Sequence, residues 1–399
     1  MSKKVIRDVF INLLAASLCT VVLNFIVYPI YARNFSAEDY GNILTLLGVV
    51  NLLWAVLGNC LNNTRLVLNK KDGMENDNGN YNPLIAIGSV VGGIIIILVA
   101  LFFSITTWLS LILVFFTVIV GIARAYYVVS YRLKLDYVTQ LKTNMIVSAG
   151  YIIGILMTKS IQVWPLSLLL GEGIAFFYTI KKGTLFNEPF CFTDDKRVVI
   201  HTYTDLIVTG LIGNLITYFD RFLINPLLGA VSVSVFSVAS FWGKAVTPFI
   251  SPTANVMLSY LSQKDSKISM KKFITIFMAS VVPLIAFGIV GIWLAPWITG
   301  LLYPTLIDKA SPYIFMASMG GLVQSSTNLL MPVLLSVCSS RSILIMQMMY
   351  FAVYLVIAFL GAKVNGLRGF CVATCIIGVI KIGIFFVFGY FAMKRKETI

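Results

Sequence analysis

Six charged side chains stand inside long apolar stretches of this 399-residue sequence, and they are its first candidates for chemistry. Four are cations, Arg124, Arg221, Lys244 and Lys381, and two are acids, Glu172 and Asp220. A charge within a bilayer span costs about 2.5–3.5 kcal/mol on insertion scales, so it faces a bundle interior or a wet cavity, or it snorkels to a headgroup. Arg124, Arg221 and Lys381 lie about two or three helical turns from the ends of their apolar runs, which leaves snorkelling open for each.

Polar neighbours recur beside these charges at steps of three and four, the spacing of one helical face. One stripe is Ser17, Thr20, Asn24, Tyr28 and Tyr31; a second is Asn214, Thr217, Tyr218, Arg221 and Asn225. A third is Ser237, Ser240, Lys244, Thr247 and Ser251, and a fourth is Gly321, Gln324, Ser325 and Asn328. A single stripe usually serves helix–helix packing through hydrogen bonds. Four of them, two in each half of the chain, point to a hydrated lumen. With four bases against two acids that lumen is net cationic. Arginine and lysine suit phosphate or diphosphate, and hydroxyls, amides and aromatic rings suit sugars. The residues therefore describe a polar, anionic, amphipathic guest. Glu172 either pairs with Arg124 or Lys381 across helices or titrates as an ion-coupling group; Asp220 and Arg221, adjacent in sequence, point in different directions.

The elements that position these residues follow from composition. The chain is 59% hydrophobic and 12% charged, whereas a soluble domain carries about 25% charged residues. Apolar runs of about 20 residues recur throughout, so lipid is the solvent for most of the chain and its backbone bonds must close within helices. The expected fold is all-α, a polytopic membrane protein of twelve transmembrane helices in two six-helix lobes, residues 1–196 and 197–399, around a central cavity. The spans fall near 9–31, 40–61, 83–104, 108–130, 143–158, 161–180, 203–225, 231–260, 272–296, 310–337, 342–362 and 369–392. Pro248 and Pro252 predict a bend in the eighth. A faint internal repeat sets Asn24 and Tyr28 beside Asn214 and Tyr218, half a chain apart.

Of the 30 lysines and arginines, four lie within spans and five (Arg33, Lys159, Lys309, Lys363 and Arg368) on one set of connectors; the rest fall on the other set and the termini. The positive-inside rule puts both termini in the cytoplasm. Much of the net charge of +14 is thus a topology signal rather than a nucleic-acid footprint. The connectors are too short for a catalytic domain. His201 is the sole histidine, the six cysteines form no CxxC pair, and no phosphate loop, nucleophile elbow or metal-ligand spacing occurs, so no cofactor is expected.

Two stretches carry a family resemblance. One is Asn24 to Gly41, ending Tyr31-Ala32-Arg33-Asn34-Phe35-Ser36-Ala37-Glu38-Asp39-Tyr40-Gly41; the other is Tyr218-Phe219-Asp220-Arg221-Phe222-Leu223-Ile224, followed by Leu228-Gly229 and Val235-Phe236-Ser237-Val238-Ala239. The chain resembles the Wzx-type polysaccharide flippases of the multidrug/oligosaccharidyl-lipid/polysaccharide exporter superfamily. The resemblance implies a bacterial inner-membrane flippase. It would move an undecaprenyl-diphosphate-linked oligosaccharide unit to the outer leaflet by alternating access for O-antigen, capsule or exopolysaccharide synthesis. It also implies a cation-lined lumen, coupling in some members to an H+ or Na+ gradient, and work beside the polymerase and chain-length proteins of such a pathway. Only Asp220 and Arg221 fall on a motif. Phe35-Ser36 departs from the Leu-Gly of many relatives, and the lack of a clear helix pair beyond twelve argues against the fourteen-helix lipid II flippase branch. Three rival readings stay open: a multidrug or cation exporter of the same superfamily, which would want acids in its lobes; a membrane-embedded polymerase or glycosyltransferase; and a purely structural membrane scaffold, which would leave the four polar stripes unexplained.

Overall fold

A computed structural model of the chain describes residues 14–15, 17–69, 79–103, 107–248, 250, 254, 270–338 and 340–397. Ser251 and Pro252 of the expected eighth span and the connector bases Lys70, Lys71, Lys264 and Lys267 lie outside the described residues. Every assigned element among the described residues is helical, and the principal ones number twelve. α1 passes from a π-helical turn, Leu23–Val27, into Tyr28–Asn34, with Pro29 at the junction. α2 spans Ala37–Leu68 with a second π-turn at Trp54–Asn59. α3 is Tyr81–Phe102, α4 Trp108–Leu133, α5 Tyr137–Ile161, α6 Pro165–Lys182 and α7 Lys196–Leu228. α8 comprises Ala230–Ala239 and Phe241–Ala245, α9 is Met270–Leu302 and α10 Ile314–Val337.

The stretch Ser340–Glu397 is two helices, α11 and α12, divided where Asn365 and Gly366 leave helical geometry. Gly366 has φ of +53°, which glycine adopts without a Cβ penalty. The chain reverses there. Gly361 and Gly369 are in backbone contact although a straight helix would hold residues eight apart at about 12 Å.

Local signals set several helix starts. Ser36 caps α2, its Oγ accepting the Asp39 N–H at 3.1 Å and donating to Asp39 Oδ2 at 2.6 Å. This is a local use for the serine that departs from the family pattern. Asp136 caps α5 in the same way, accepting the Thr139 N–H at 3.0 Å. α5 and α6, the two most closely spaced spans of the sequence reading, are separate helices: Gln162 ends the first in the left-handed region and Pro165 opens the second. They pack backbone to backbone, since a Cβ on Gly150 would come within 2.5 Å of the Gly171 Cα.

Seven described helices are long and apolar enough to cross a membrane: α2, α3, α4, α5, α7, α9 and the α11–α12 stretch. The outward surface of α9 is largely apolar. Trp293, Trp297 and Leu301 on α9 are 81%, 70% and 64% exposed, as expected of faces solvated by lipid. The chain is thus an all-α polytopic membrane protein.

It divides into two compact units: Met1–Phe35 with Asn42–Phe222, and Ser36–Gly41 with Leu223–Ile399. Most of α7 packs with the first unit. Tyr203 donates to the Leu57 carbonyl at 2.8 Å, Cys60 to the Leu206 carbonyl at 3.2 Å, and Arg221 to the Leu44 carbonyl at 2.9 Å. In the second unit the two family-like stretches meet: Ser234 donates to the Ala37 carbonyl at 2.5 Å, and Gly41 lies directly on the backbone of Ala230.

Candidate functional site

The deepest charge of the first unit is neutralised. Glu172 on α6 is fully buried, and Arg124 on α4 holds it through two contacts, Nε to Oε2 and Nη2 to Oε1 at 3.1 Å. Tyr151 on α5 donates its hydroxyl to Oε1 at 2.5 Å. The small residues along the α5–α6 contact bring these helices close enough for the tyrosine to reach. Of the two partners the sequence leaves open for Glu172, the fold selects Arg124, and the two side chains form a bidentate pair with little water access.

A second pair in the same unit, outside the sequence-derived candidates, joins Arg65 at the end of α2 to Glu188 at 2.7 and 2.6 Å. Arg65 also donates to Tyr126 at 2.8 Å and lies over the Tyr81 ring at 4.7 Å. No periodicity marks this pair, because Glu188 sits in a connector 123 residues away.

Asp220 and Arg221 diverge as their adjacency requires. Asp220 Oδ1 accepts the Arg221 backbone N–H at 2.8 Å, while the Arg221 guanidinium reaches the Leu44 carbonyl and lies 5.9 Å from the Tyr218 ring centre. Asn24 and Asn214, equivalent in the faint repeat, do the same thing locally: each turns its amide back to the carbonyl four residues earlier, at 2.8 Å. Tyr28 and Tyr218 are both half-buried.

The second unit treats its cations differently. Lys381 on α12 donates to the Gln324 carbonyl on α10 at 3.2 Å and lies 4.8 Å from the Tyr350 ring and 5.6 Å from the Phe385 ring. Among the described residues no carboxylate pairs with it. From Leu223 to Ile399 the only acids are Asp265, Asp308 and Glu397, all outside the expected spans. Lys244 on α8 has its Nζ 5.3 Å from the Phe236 ring. One turn on, Thr247 and Ser325 share a hydrogen bond at 3.4 Å, so the polar faces of α8 and α10 meet. α10 therefore carries both links, Ser325 toward the helix of Lys244 and Gln324 toward Lys381. Asn328, one turn further along α10, is exposed. Gly243 against the Ser318 backbone permits the close α8–α10 approach.

Tyr350 and Phe385 were not among the sequence candidates. Phe385 is four residues from Lys381 and could have been found by helical spacing; Tyr350 is brought in only by the reversal at Gly366. Chemically, the second unit presents a lysine whose charge is softened by aromatic rings and a carbonyl but not cancelled, an arrangement that leaves it attractive to an anion. Among the described residues no group of three or more His, Cys, Asp or Glu is placed to hold a metal ion.

The fold has solved counterparts. The chain is similar to the lipid II flippase MurJ in an inward closed conformation, at 15% identity and a TM-score of 0.73, covering 93% of this chain and 86% of that one. It is also similar to a MATE transporter in complex with MaD3S, at 13% identity and a TM-score of 0.67, covering 98% and 97%. A MOP superfamily transporter from Pyrococcus furiosus, described by the reversed polarity of its binding pocket, matches at 12% identity and 0.61, covering 97% and 95%. No family model matches the sequence, and no curated protein does. At these identities the likeness establishes the fold, that of the MOP-type transporters and flippases.

Proposed function

We propose that this protein is a flippase of a bacterial inner membrane, with both termini cytoplasmic. Its cargo is an undecaprenyl-diphosphate-linked oligosaccharide unit, moved from the cytoplasmic to the outer leaflet by alternating access for O-antigen, capsule or exopolysaccharide assembly. The observation that carries this reading is Lys381, set beside Tyr350 and Phe385 in the stretch Leu223–Ile399, whose expected spans contain no acid. A lipid diphosphate presents oxygens that lysine and arginine recognise, and its sugars suit the hydroxyl, amide and aromatic groups of the stripes. In this reading the headgroup is recognised in the first unit by Arg221, with Asn24, Tyr28, Asn214 and Tyr218, and in the second unit by Lys244 and Lys381, with Gln324 and Asn328. Arg124 is committed to Glu172 and acts on the headgroup only if that pair opens. Glu172 and Asp220 are the candidates for coupling to an H+ or Na+ gradient, and the pathway's polymerase and chain-length proteins are the expected partners.

The likeness to MATE transporters supports a second reading, export of cationic compounds. Such cargo needs accessible acids. Glu172 is fully buried beneath Arg124, and the expected spans from Leu223 to Ile399 offer none. The discriminating experiment is complementation of a strain lacking its own flippase. Wild type restores surface polysaccharide, while Arg221→Ala and Lys244→Ala insert normally but export poorly. Full export by both variants would count against the headgroup role of these cations, and resistance to cationic dyes without polysaccharide export would favour the second reading.

A further inference from the structure

The connector between α6 and α7 is short, yet it is fastened to the first unit at three places. Asn82 at the start of α3 donates to the carbonyls of Leu185 at 3.3 Å and Glu188 at 2.9 Å, and is itself held by the Tyr127 hydroxyl at 2.9 Å. Asn80 and Thr193 exchange two bonds, the Asn80 amide donating to Thr193 Oγ1 at 2.5 Å and the Thr193 N–H to Asn80 Oδ1 at 3.0 Å. Arg65 closes on Glu188 between them. Leu185 is the residue this strap buries; Phe186, Phe190 and Phe192 point outward, 48%, 69% and 46% exposed. A mobile loop could fold such rings away from water. A strap pinned through its own backbone cannot, so the apolar exposure is built into the fold.

The surroundings identify what meets these rings. The strap lies across the C-terminal end of α2, the start of α3 and the C-terminal part of α4, on the side that the lysine and arginine distribution assigns to the cytoplasm. Lys181, Lys182, Lys196 and Arg197 flank it, all exposed. They outnumber its exposed carboxylates, Asp194 and Asp195, while Glu188 is offset by Arg65. Apolar rings between clustered bases match an anionic headgroup layer, with rings below the phosphates and ammonium and guanidinium groups among them.

We propose that the 183–195 strap is a membrane-docking surface that seats Phe186, Phe190 and Phe192 in the anionic lipid interface of the cytoplasmic leaflet. The inference is independent of the cargo. Native Cys191 lies between two of the rings and is exposed, whereas the other five cysteines are buried or half-buried, so it takes a spin label first. The test uses the full chain labelled at Cys191 in phosphatidylglycerol-containing vesicles, with Cys191→Ser protein as background, and compares relaxation by oxygen with relaxation by a water-soluble nickel chelate. The expected result is a label accessible to oxygen and shielded from the chelate, with that shielding lost when the three phenylalanines become serine and reduced when Lys181 and Lys182 become glutamate. A label freely relaxed by the chelate overturns the proposal. So does shielding that survives the triple serine variant, because protein rather than lipid would then cover the strap.

Discussion

In the first unit Arg124 and Arg65 each reach a carboxylate, Glu172 and Glu188, with two contacts apiece. In the second unit Lys381 lies between two aromatic rings with a backbone carbonyl as its acceptor. Both arrangements make a cation tolerable within a membrane protein, by different physics. An ion pair cancels the field and fixes two helices, but removing either partner strands the other. A ring cage and a carbonyl stabilise the ammonium while leaving its positive field in place for a guest. The difference separates charges that hold the bundle together from charges that can act on cargo, although both kinds look alike in the sequence.

Substitutions can break or sharpen that contrast. The largest effect belongs to Glu172→Gln. It leaves the Arg124 guanidinium without its counter-charge and should cost about 3–5 kcal/mol, read as a lowered unfolding temperature in detergent. Replacing both partners, Arg124→Met with Glu172→Leu, should recover most of that loss; if the double variant stays as unstable as the single one, the pair does more than offset charge. Next is Glu188→Gln, expected to cost about 2 kcal/mol and to act locally. Trypsin should then cut faster at Lys181, Lys182, Lys196 and Arg197, and unchanged digestion would remove Arg65–Glu188 from the set of fastening pairs.

Asp136→Ala removes the cap of α5 and should cost about 1 kcal/mol at neutral pH. The Thr139 hydroxyl and N–H hold the Asp136 carboxyl below its ordinary value of 3.8. Its contribution is therefore complete above that value and fades as the pH falls through the folded-state value, so the gap between wild type and variant should close in acid. The smallest effect on stability is expected from Lys381→Met, within about 0.5 kcal/mol, because relief of a buried charge offsets the lost ring and carbonyl contacts. A collapse in stability there would show that Lys381 is a structural cation like Arg124.

How much of this was legible beforehand varies by residue. Apolar run length gave the helical, membrane-spanning character, and the charges inside those runs marked Arg124, Glu172 and Lys381 directly. The partners were not legible, because contacts between helices in lipid depend on which faces turn inward, and a run that is apolar all round does not encode that. Glu172 had two candidate cations until α4, α5 and α6 were packed. Tyr350 joined Lys381 only through the turn at Gly366, and Arg65–Glu188 depends on a connector that reads as solvated. Gly41, noticed as part of a family-like turn, proved to be where the chain passes directly over the backbone of Ala230.

The most direct test of the second unit's role is binding of a polyprenyl-diphosphate oligosaccharide to the purified protein, compared with a cationic dye. Wild type should bind the lipid and not the dye, Lys381→Arg should retain binding, and Lys381→Met should weaken it by about tenfold or more, the scale of one charge-assisted contact. Equal affinity in wild type and Lys381→Met would contradict the account.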